Sequence, residues 1–339
     1  MGKLSSLKQG LRYFFRTNTW GRRFAAEVLT HRAVVGNPLY QQAYSAWIKR
    51  EAHRMASQPP QVIHIENTNY CNARCIMCSH GAMTRPKGFM SMDLYRKVIS
   101  EAAELGVPKV TVQFFGEPLL DKHLFERIRL ARQAGLETEI NTNASLLTAE
   151  ASVRLIESGL DELHISFDGF TRATYERIRV GLDFDKVVAN IEGFLGLKRR
   201  TGSPRPKVFL TFVAFETNRH EAKAFLNHWG HRVDHVIISN ARNWAGQKHV
   251  KGTGKFCQEH LPTVPCAVLW KQLVALVDGR VTVCCDDYDG KLALGDLNRQ
   301  TLGEIWNGSK LRKLRDLHIA GQGDKIPLCR SCTQYTVWF

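Results

Sequence analysis

Three cysteines lie within eight residues of the sequence, in the stretch CNARCIMC, where Cys71, Cys75 and Cys78 are spaced C-x3-C-x2-C. The thiolate form of cysteine is a nucleophile and a metal ligand, so three thiols this close together predict chemistry rather than packing. Cubane iron-sulfur clusters normally take one thiolate per iron, so three ligands leave one iron with an open position. A catalytic zinc site also has three protein ligands and an open fourth position. The cysteines alone leave both possibilities open.

A second set of cysteines lies near the C-terminus. Cys266 and Cys284 are 18 positions apart, and Gly279 begins a G-x4-C spacing that ends at Cys284. Cys329 and Cys332 then form C-x2-C. This order of thiols suits a zinc ribbon as well as an iron-sulfur cluster.

Two further cysteines, Cys257 and Cys285, belong to neither spacing. Burial as a small apolar side chain is a common fate of a free cysteine. Cys285 directly follows Cys284 and can exchange the ligand role with it. A spare thiol near a substrate can instead donate a hydrogen atom.

The composition is that of an ordinary globular protein, with 339 residues, 44% of them hydrophobic and 23% charged. This length suffices for one large core and a smaller module. No apolar run reaches the roughly 18 residues of a membrane span, and the basic N-terminus lacks the apolar region of a secretory signal. We therefore expect a cytoplasmic protein whose nine cysteines are reduced.

Positive charge is concentrated in residues 1–58, which carry ten Lys or Arg against two Glu. The apolar residues of a predicted basic amphipathic helix recur at helical spacing: Leu4, Leu7, Leu11, Phe14 and Phe15. Such a helix can contact an anionic membrane surface or a phosphate-bearing partner, or it can dock on the body of the protein. No basic face interleaved with aromatic residues continues along the chain, which argues against nucleic-acid binding.

After the prolines of QPPQ near residue 60, which mark a boundary, β-rich runs alternate with amphipathic helical stretches. The predicted strands are 62–67, 109–115, 137–143, 162–168, 207–213 and 235–239. This alternation predicts βα units around a parallel sheet, as a partial barrel or a doubly wound sheet. In both folds the chemistry gathers at the C-terminal ends of the strands, and the three-cysteine loop directly follows the first strand.

In this position the C-x3-C-x2-C loop resembles the signature of radical S-adenosylmethionine (radical SAM) enzymes, with Met77 in place of the usual aromatic residue before the last cysteine. The resemblance covers about residues 60 to 240. It implies a partial (βα)6 barrel and a [4Fe-4S] cluster whose open iron binds S-adenosylmethionine. In that family an electron splits the cofactor and releases a 5′-deoxyadenosyl radical, so a reductant such as flavodoxin or ferredoxin is an implied partner.

The same resemblance assigns cofactor-binding candidates. FGEP resembles the family's Gly-Gly-Glu-Pro element, which contacts the methionine ammonium, although Phe115 stands where the first glycine is usual. NTNAS and SFDG resemble elements of the third and fourth strands. The candidates are Gly116, Glu117, Pro118, Asn143, Ser166 and Asp168. Without the family, a glycine permits close backbone approach and a carboxylate suits an ammonium, while the alternative is ordinary turn chemistry.

The C-terminal pattern of G-x4-C, GDL, EIW and C-x2-C resembles the twitch or SPASM-type extension of radical SAM enzymes. It implies a small domain of hairpin and helix whose second [4Fe-4S] cluster is held by Cys266, Cys284, Cys329 and Cys332. A full SPASM pattern continues with further cysteines, and this chain ends at Phe339, so we expect one auxiliary cluster. The predicted domains are a basic N-terminal segment (1–58), a radical SAM core (59–245) and an auxiliary-cluster domain (246–339).

An auxiliary cluster that accepts an electron allows a substrate radical to be oxidised. We therefore expect oxidation of a small polar or carbohydrate-like substrate. Asp286 and Asp287, beside Cys284, are the candidate bases, with solvated turn carboxylates as the alternative; Asn243 and Trp244 are candidates for lining the substrate site.

Other interpretations remain open. The protein can modify a peptide or protein side chain, or act as an epimerase that uses Cys257 or Cys285 as hydrogen donor. Outside this enzyme class, a zinc-stabilised binding protein and an iron-sulfur electron carrier are the alternatives.

Overall fold

The computed structural model describes residues 38–247 and 265–332. The predicted amphipathic helix of the first 16 residues and Cys257 lie outside these ranges. The described chain begins with helix α1 (Pro38–Ala56). Within the described ranges, no helix combines the length and apolar character that crossing a membrane requires.

The six predicted strands are confirmed as parallel neighbours in one sheet. They are β1 (Val62–Ile65), β2 (Lys109–Thr111), β3 (Glu137–Thr142), β4 (Glu162–Ser166), β5 (Lys207–Ala214) and β6 (His235–Asn240). Their order in space is β6-β5-β4-β3-β2-β1. A doubly wound sheet reverses its direction at a switch point, whereas this sheet proceeds one strand at a time, as a barrel does. The predicted partial barrel is therefore confirmed.

Helices follow the strands and cover the outer face of the sheet. They are α2 (Met92–Glu104), α3 (Leu124–Gln133), α4 (Ala149–Glu157), α5 (Arg172–Ile178), α6 (Phe184–Thr201) and α7 (Ala222–Trp229). In α2, Tyr95, Val98, Ile99 and Ala102 are buried, the spacing of one helical face. Side-chain caps begin α2, α4, α5 and α6: the Ser91 hydroxyl, for example, accepts from the Leu94 N–H before α2. The capping residues thus account for where these helices begin, and the spacing of the apolar residues accounts for the face that is buried.

The C-terminal residues extend the same sheet. Strand β7 (Gln272–Ala275) pairs in parallel with β1, and β8 (Arg280–Thr282) and β9 (Gly295–Asp296) complete an antiparallel arrangement. The short helix α8 (Leu302–Trp306) and helix α9 (Ser309–Ile319) follow. The predicted hairpin and helix around GDL and EIW are thus present, while the domain boundaries stay predictions.

The inner face of the sheet is polar. The Lys109 ammonium lies between carboxylate oxygens of Glu139, at 2.7 Å, and Glu162, at 2.6 Å. Side chains alternate between the two faces of a strand, so Asn141 and Ser166 lie further along this inner face towards the C-terminal strand ends. Both line the cavity described below.

Candidate active site

The C-terminal strand ends and the three-cysteine loop enclose a cavity of about 580 Å³. Its lining combines thiols, amides, hydroxyls, two guanidinium groups, the His80 imidazole and the aromatic rings of Phe114, Phe115 and Trp244. Among the lining residues are Cys71, Cys75, Cys78, Gln113, Glu117, Asn141, Asn143, Ser166, Arg179, Ser239, Asn240 and Arg242. Residues from loops more than a hundred positions apart therefore face one space.

Backbone contacts position the cysteine loop. The Arg74 and Ile76 N–H groups donate to the carbonyls of Val180, at 2.8 Å, and Ile178, at 3.0 Å, at the end of α5. The N–H of Glu117 donates to the Tyr70 carbonyl at 2.8 Å. These hydrogen bonds connect the loop after β1 to the loops after β2 and β4.

Gly116 allows this close approach. Its φ is +96°, and a Cβ there would lie 2.6 Å from the Tyr70 carbonyl oxygen and 2.7 Å from that of Thr68. Contacts this short with backbone atoms exclude any side chain. The glycine of FGEP is thus required where two loops meet, independent of any bound molecule.

The donors in the loop after β1 are thiols, and Cys71, Cys75 and Cys78 are half-buried. Three thiols on one loop suit the irons of a cubane cluster, each bound by its own thiolate. Burial raises the pKa of Cys71 to about 11, so a bound metal would have to displace the thiol proton.

Glu117 is buried beside the cysteine loop. Its Oε1 accepts from the Thr142 hydroxyl at 2.6 Å and from the Leu119 N–H at 3.2 Å, and its Oε2 accepts from the Asn143 N–H at 2.8 Å. Burial raises the pKa of this carboxyl. Two carboxylate oxygens offer about four acceptor positions, so one position is left for a ligand cation.

The other cofactor-binding candidates lie in different settings. Asn143 and Ser166 line the cavity, whereas Pro118 starts a buried 3-10 turn outside its lining. Asp168 is also outside the lining. Its Oδ1 accepts from the Val213 N–H at 2.7 Å, and its Oδ2 accepts from Arg179 Nε at 2.6 Å.

Arg179 is a cavity residue that the sequence reasoning missed. It follows α5, its guanidinium is fixed by Asp168, and its Nη1 lies 3.6 Å from Cys75 Sγ. The pair with Asp168 raises the pKa of Arg179, although burial acts against the charge. No local pattern marks this arginine, because its partners Asp168 and Cys75 lie 11 and 104 positions away in the chain.

The auxiliary cysteines come from distant segments of the chain. Cys266 precedes a short 3-10 turn before β7, and Cys284 follows β8. The N–H of Cys332 donates to the Cys329 carbonyl at 3.2 Å. Burial and the charges of Cys266 and Cys332 raise the pKa of Cys329 to about 12.

The residues after Cys284 are enclosed. Asp286 and Asp287 are each only 1% exposed, so the alternative of solvated turn carboxylates is wrong. Asp287 accepts from the Thr282 hydroxyl at 2.7 Å and from the Lys291 N–H at 2.8 Å, which shapes the turn. Asp286 and Cys285 contact Arg242 rather than the cavity itself.

Arg242 was also missed, although it lies in the same NARNWAG stretch as Asn243 and Trp244. Its Nη1 lies 3.1 Å from Asp286 Oδ1 and 2.8 Å from Cys285 Sγ. A hydrogen bond with Cys284 and the charge of Arg242 lower the pKa of Cys285 to about 7. Trp244 lines the cavity as expected, whereas Asn243 donates to the Ser331 carbonyl at 3.3 Å, outside the lining.

Further contacts join the two cysteine regions. Arg85 forms a buried ion pair with Glu66 and donates from Nε to the Tyr288 carbonyl at 2.6 Å. The N–H of Thr84 donates to Asp289 Oδ1 at 2.8 Å. The loop that carries the first cysteines is thus attached to the loop that follows Cys284.

Comparison with known proteins matches both regions. The family model of the radical SAM superfamily matches residues 65–226, and that of the iron-sulfur cluster-binding SPASM domain matches residues 266–333. Together these models cover roughly two thirds of the chain.

Three similar proteins illustrate the range of relatives. The AdoMet-dependent heme synthase of Methanosarcina barkeri is 35% identical over 137 residues, 39% of this chain and 38% of that protein. The S-adenosyl-L-methionine-dependent 2-deoxy-scyllo-inosamine dehydrogenase of Niallia circulans is 23% identical over 290 residues, 81% of this chain and 94% of that protein. The crystal structure of Streptococcus suis SuiB bound to precursor peptide SuiA has a TM-score of 0.66 at 14% identity, covering 88% of this chain and 76% of that chain.

The chain spans between about a third and a half of the length of the first curated relatives it matches. The family assignment therefore rests on the two domain models, the confirmed parallel barrel and the two cysteine sets. [4Fe-4S] clusters and S-adenosylmethionine are the cofactors of these domains. The chain belongs to the radical SAM superfamily and carries a C-terminal SPASM-type iron-sulfur cluster-binding domain.

Proposed function

We propose that this chain is a radical SAM oxidoreductase that dehydrogenates a small polar, carbohydrate-like substrate. The observation that carries the proposal is one cavity between two cysteine regions: Cys71, Cys75 and Cys78 line it, and Arg242 lines it while contacting Asp286 beside Cys284. When bound, the cofactors supply a 5′-deoxyadenosyl radical at one side and an electron acceptor at the other.

Residues around the first cysteines are suited to hold S-adenosylmethionine. The free acceptor position of Glu117 suits its ammonium, and the fixed guanidinium of Arg179 suits its carboxylate. Asn143 and Ser166 offer polar groups to the ribose. Asp168 then acts indirectly, because it fixes Arg179.

The remaining lining suits a substrate with hydroxyl or amino groups. Gln113, Asn141, Ser239 and Asn240 offer donors and acceptors, and the neighbouring aromatic rings offer an apolar face. The dehydrogenase relative, which aligns along 94% of its own length, supports a substrate of this kind.

Dehydrogenation removes one hydrogen atom, then one electron and one proton, so a base is required. Of the two proposed bases, Asp286 is connected to the cavity through Arg242. Asp287 accepts hydrogen bonds from Thr282, Lys291 and Leu292. A guanidinium does not give up its proton, so no proton passes through Arg242. Asp286 instead fixes the Arg242 side chain at the cavity.

The proposal is tested by anaerobic reconstitution and a panel of C-deuterated aminocyclitols, sugars and peptides. We expect one small polar compound to transfer deuterium to 5′-deoxyadenosine and to yield a product lighter by two hydrogens. The matched control replaces Cys71, Cys75 and Cys78 by Ala, which should abolish cofactor cleavage and leave the auxiliary iron. A product in which a solvent hydrogen has replaced the abstracted deuterium, with no other change in composition, would indicate epimerisation. Zinc without iron would instead support the class of zinc-stabilised binding proteins.

Modification of a peptide is the second candidate. Among the described strands β6 is an edge of the sheet, its Ile237 and Ile238 are exposed, and the next residues Ser239 and Asn240 line the cavity. An extended peptide can add to such an edge. Deuterium transfer only from peptides in the same panel would favour this function.

Partners and location are further parts of the proposal. A flavodoxin or ferredoxin is the expected electron donor. A reducing, cytoplasmic location, in which cysteines stay reduced and able to bind a metal, is also part of the proposal. Contact of residues 1–58 with an anionic membrane surface remains a prediction, since most of that segment lies outside the described residues.

A further inference from the structure

We propose that Arg242 forms an oxyanion subsite, so that the substrate of the proposed reaction carries a carboxylate or phosphate group held on the auxiliary side of the cavity. This inference rests on the proposed function. It adds a chemical requirement that a neutral sugar or aminocyclitol would not meet.

The first argument is the orientation of the guanidinium. Arg242 follows β6, and among the described residues only its Nη1 has hydrogen-bond partners, Asp286 and Cys285. The Arg242 side chain is 43% exposed, whereas the Asp286 side chain is 2% exposed. The buried carboxylate thus fixes one side of the guanidinium, and Nε and Nη2 remain for a ligand. A guanidinium held in this way is suited to bind an oxyanion with two parallel hydrogen bonds.

The second argument is the charge of the lining. The cavity contains the guanidinium groups of Arg179 and Arg242, and Glu117 is the one carboxylate among its described lining residues. Glu117 already accepts from Thr142, Leu119 and Asn143. Asp168 and Asp286 balance the charges of these guanidinium groups from outside the lining. The lining therefore presents guanidinium N–H donors rather than their carboxylate partners to a ligand, and such donors suit an oxyanion.

The third argument separates the two guanidinium groups. Arg179 Nη1 is 3.6 Å from Cys75 Sγ, so it belongs to the side where S-adenosylmethionine is expected. Arg242 is 2.8 Å from Cys285 Sγ, in the auxiliary loop. One cation is thus available for the cofactor carboxylate and a second for a different oxyanion.

The test measures binding of inorganic phosphate and of acetate to the reconstituted protein in the presence of S-adenosylmethionine, by ³¹P and ¹³C line broadening. Phosphate and acetate separate the two possible sources of the oxyanion. We expect at least one to bind the wild type and to bind Arg242→Gln about tenfold or more weakly, the size of one lost charge-assisted pair. Arg242→Lys should fall between them, because it keeps the charge and loses the planar fork.

Arg96→Gln is the matched control, since Arg96 also pairs with an aspartate, Asp93, but on the exposed surface; its binding should equal that of the wild type. Iron content is measured for every variant, and if Arg242→Gln loses iron the comparison is made with Arg242→Lys. Equal binding by wild type and variant, or no binding of either anion, overturns the proposal. A parallel loss of S-adenosylmethionine affinity would also overturn it, because Arg242 would then serve the cofactor.

Failure of the anion subsite and failure of the proposed reaction give different results. Cofactor cleavage with deuterium transfer but no anion binding would leave the oxidoreductase standing and remove the subsite. Anion binding at Arg242 without any cofactor cleavage would retain the subsite and remove the reaction.

Discussion

The indole Nε1 of Trp244 donates a hydrogen bond to the Met77 carbonyl oxygen at 2.6 Å, so the segment after β6 is attached to the three-cysteine loop. The Trp244 ring also packs on Phe115, with ring centroids 5.5 Å apart. Trp244 and Ala245 both have positive φ, 52° and 56°, a backbone conformation that costs about 1 kcal/mol or more per residue. Tertiary contacts must therefore hold this turn in place.

Trp244→Phe should weaken this attachment while keeping an aromatic ring in the cavity wall. The lost hydrogen bond is worth about 1 kcal/mol. If the position of the loop limits the rate, 5′-deoxyadenosine should form about five times more slowly. Trp47→Phe, which changes an exposed tryptophan on α1, is the control. An unchanged rate in Trp244→Phe would show that the hydrogen bond is dispensable for cofactor cleavage.

Gly116→Ala should displace the cysteine loop, because its Cβ would meet the Tyr70 and Thr68 carbonyl oxygens. We expect a loss of about 2–5 kcal/mol in the free energy of unfolding and a preferential loss of the iron bound by the first cysteines. Gly106→Ala is the matched control, since its φ is also positive, +77°, but no atom lies within 4 Å of the new Cβ. The control should lose only about 1 kcal/mol. Similar losses in both variants would contradict the role of the close approach.

Glu117→Gln should weaken S-adenosylmethionine binding by about tenfold, because a neutral amide replaces the partner of an ammonium group. Burial raises the pKa of Glu117, and only the ionised form attracts a cation. Wild-type affinity should therefore fall as the pH is lowered through this raised pKa, whereas the affinity of the variant should stay flat. Equilibrium binding over a pH series measures both, with the exposed Glu157→Gln as control; parallel pH profiles for wild type and Glu117→Gln would sink the assignment.

Arg85→Ala should destabilise the protein by about 3–5 kcal/mol, because it leaves the buried Glu66 carboxylate without its partner. Both side chains of this pair are at most 3% exposed. Arg96→Ala breaks the pair with Asp93, whose side chains are 51% and 96% exposed, and should cost less than about 1 kcal/mol. Chemical denaturation gives both values; equal costs would mean that burial of the Glu66–Arg85 pair adds no stability.

Much of the barrel could be predicted because its signals are local. Apolar alternation marked the six strands, and apolar spacing marked helices such as α2 and α6, although β2 ends at Thr111, four residues before the predicted end. The cysteine loop could be recognised because its three thiols lie within eight residues. The C-terminal hairpin followed from glycine and cysteine spacing.

The long-range pairs were not predictable in the same way. Asp168 was expected to touch the cofactor, yet it contacts Arg179, which no motif marks. Asp286 was a candidate base, with a solvated turn carboxylate as the alternative, yet it is buried against Arg242, 44 positions away. Neither Arg179 nor Arg242 belongs to a sequence motif that would identify it as the partner of these aspartates.

The sequence by itself determined the six strands of the barrel, the two cysteine sets and the family. These features could be predicted because periodicity, turn residues and ligand spacing act over a few positions. Only the tertiary structure decided which charges meet. Parallel pairing of β7 with β1 and the loop contacts of Arg85, Arg242 and Trp244 join segments that are far apart in the chain. Such contacts depend on how the elements pack. A buried charge destabilises the fold unless packing brings a residue of opposite charge into contact with it.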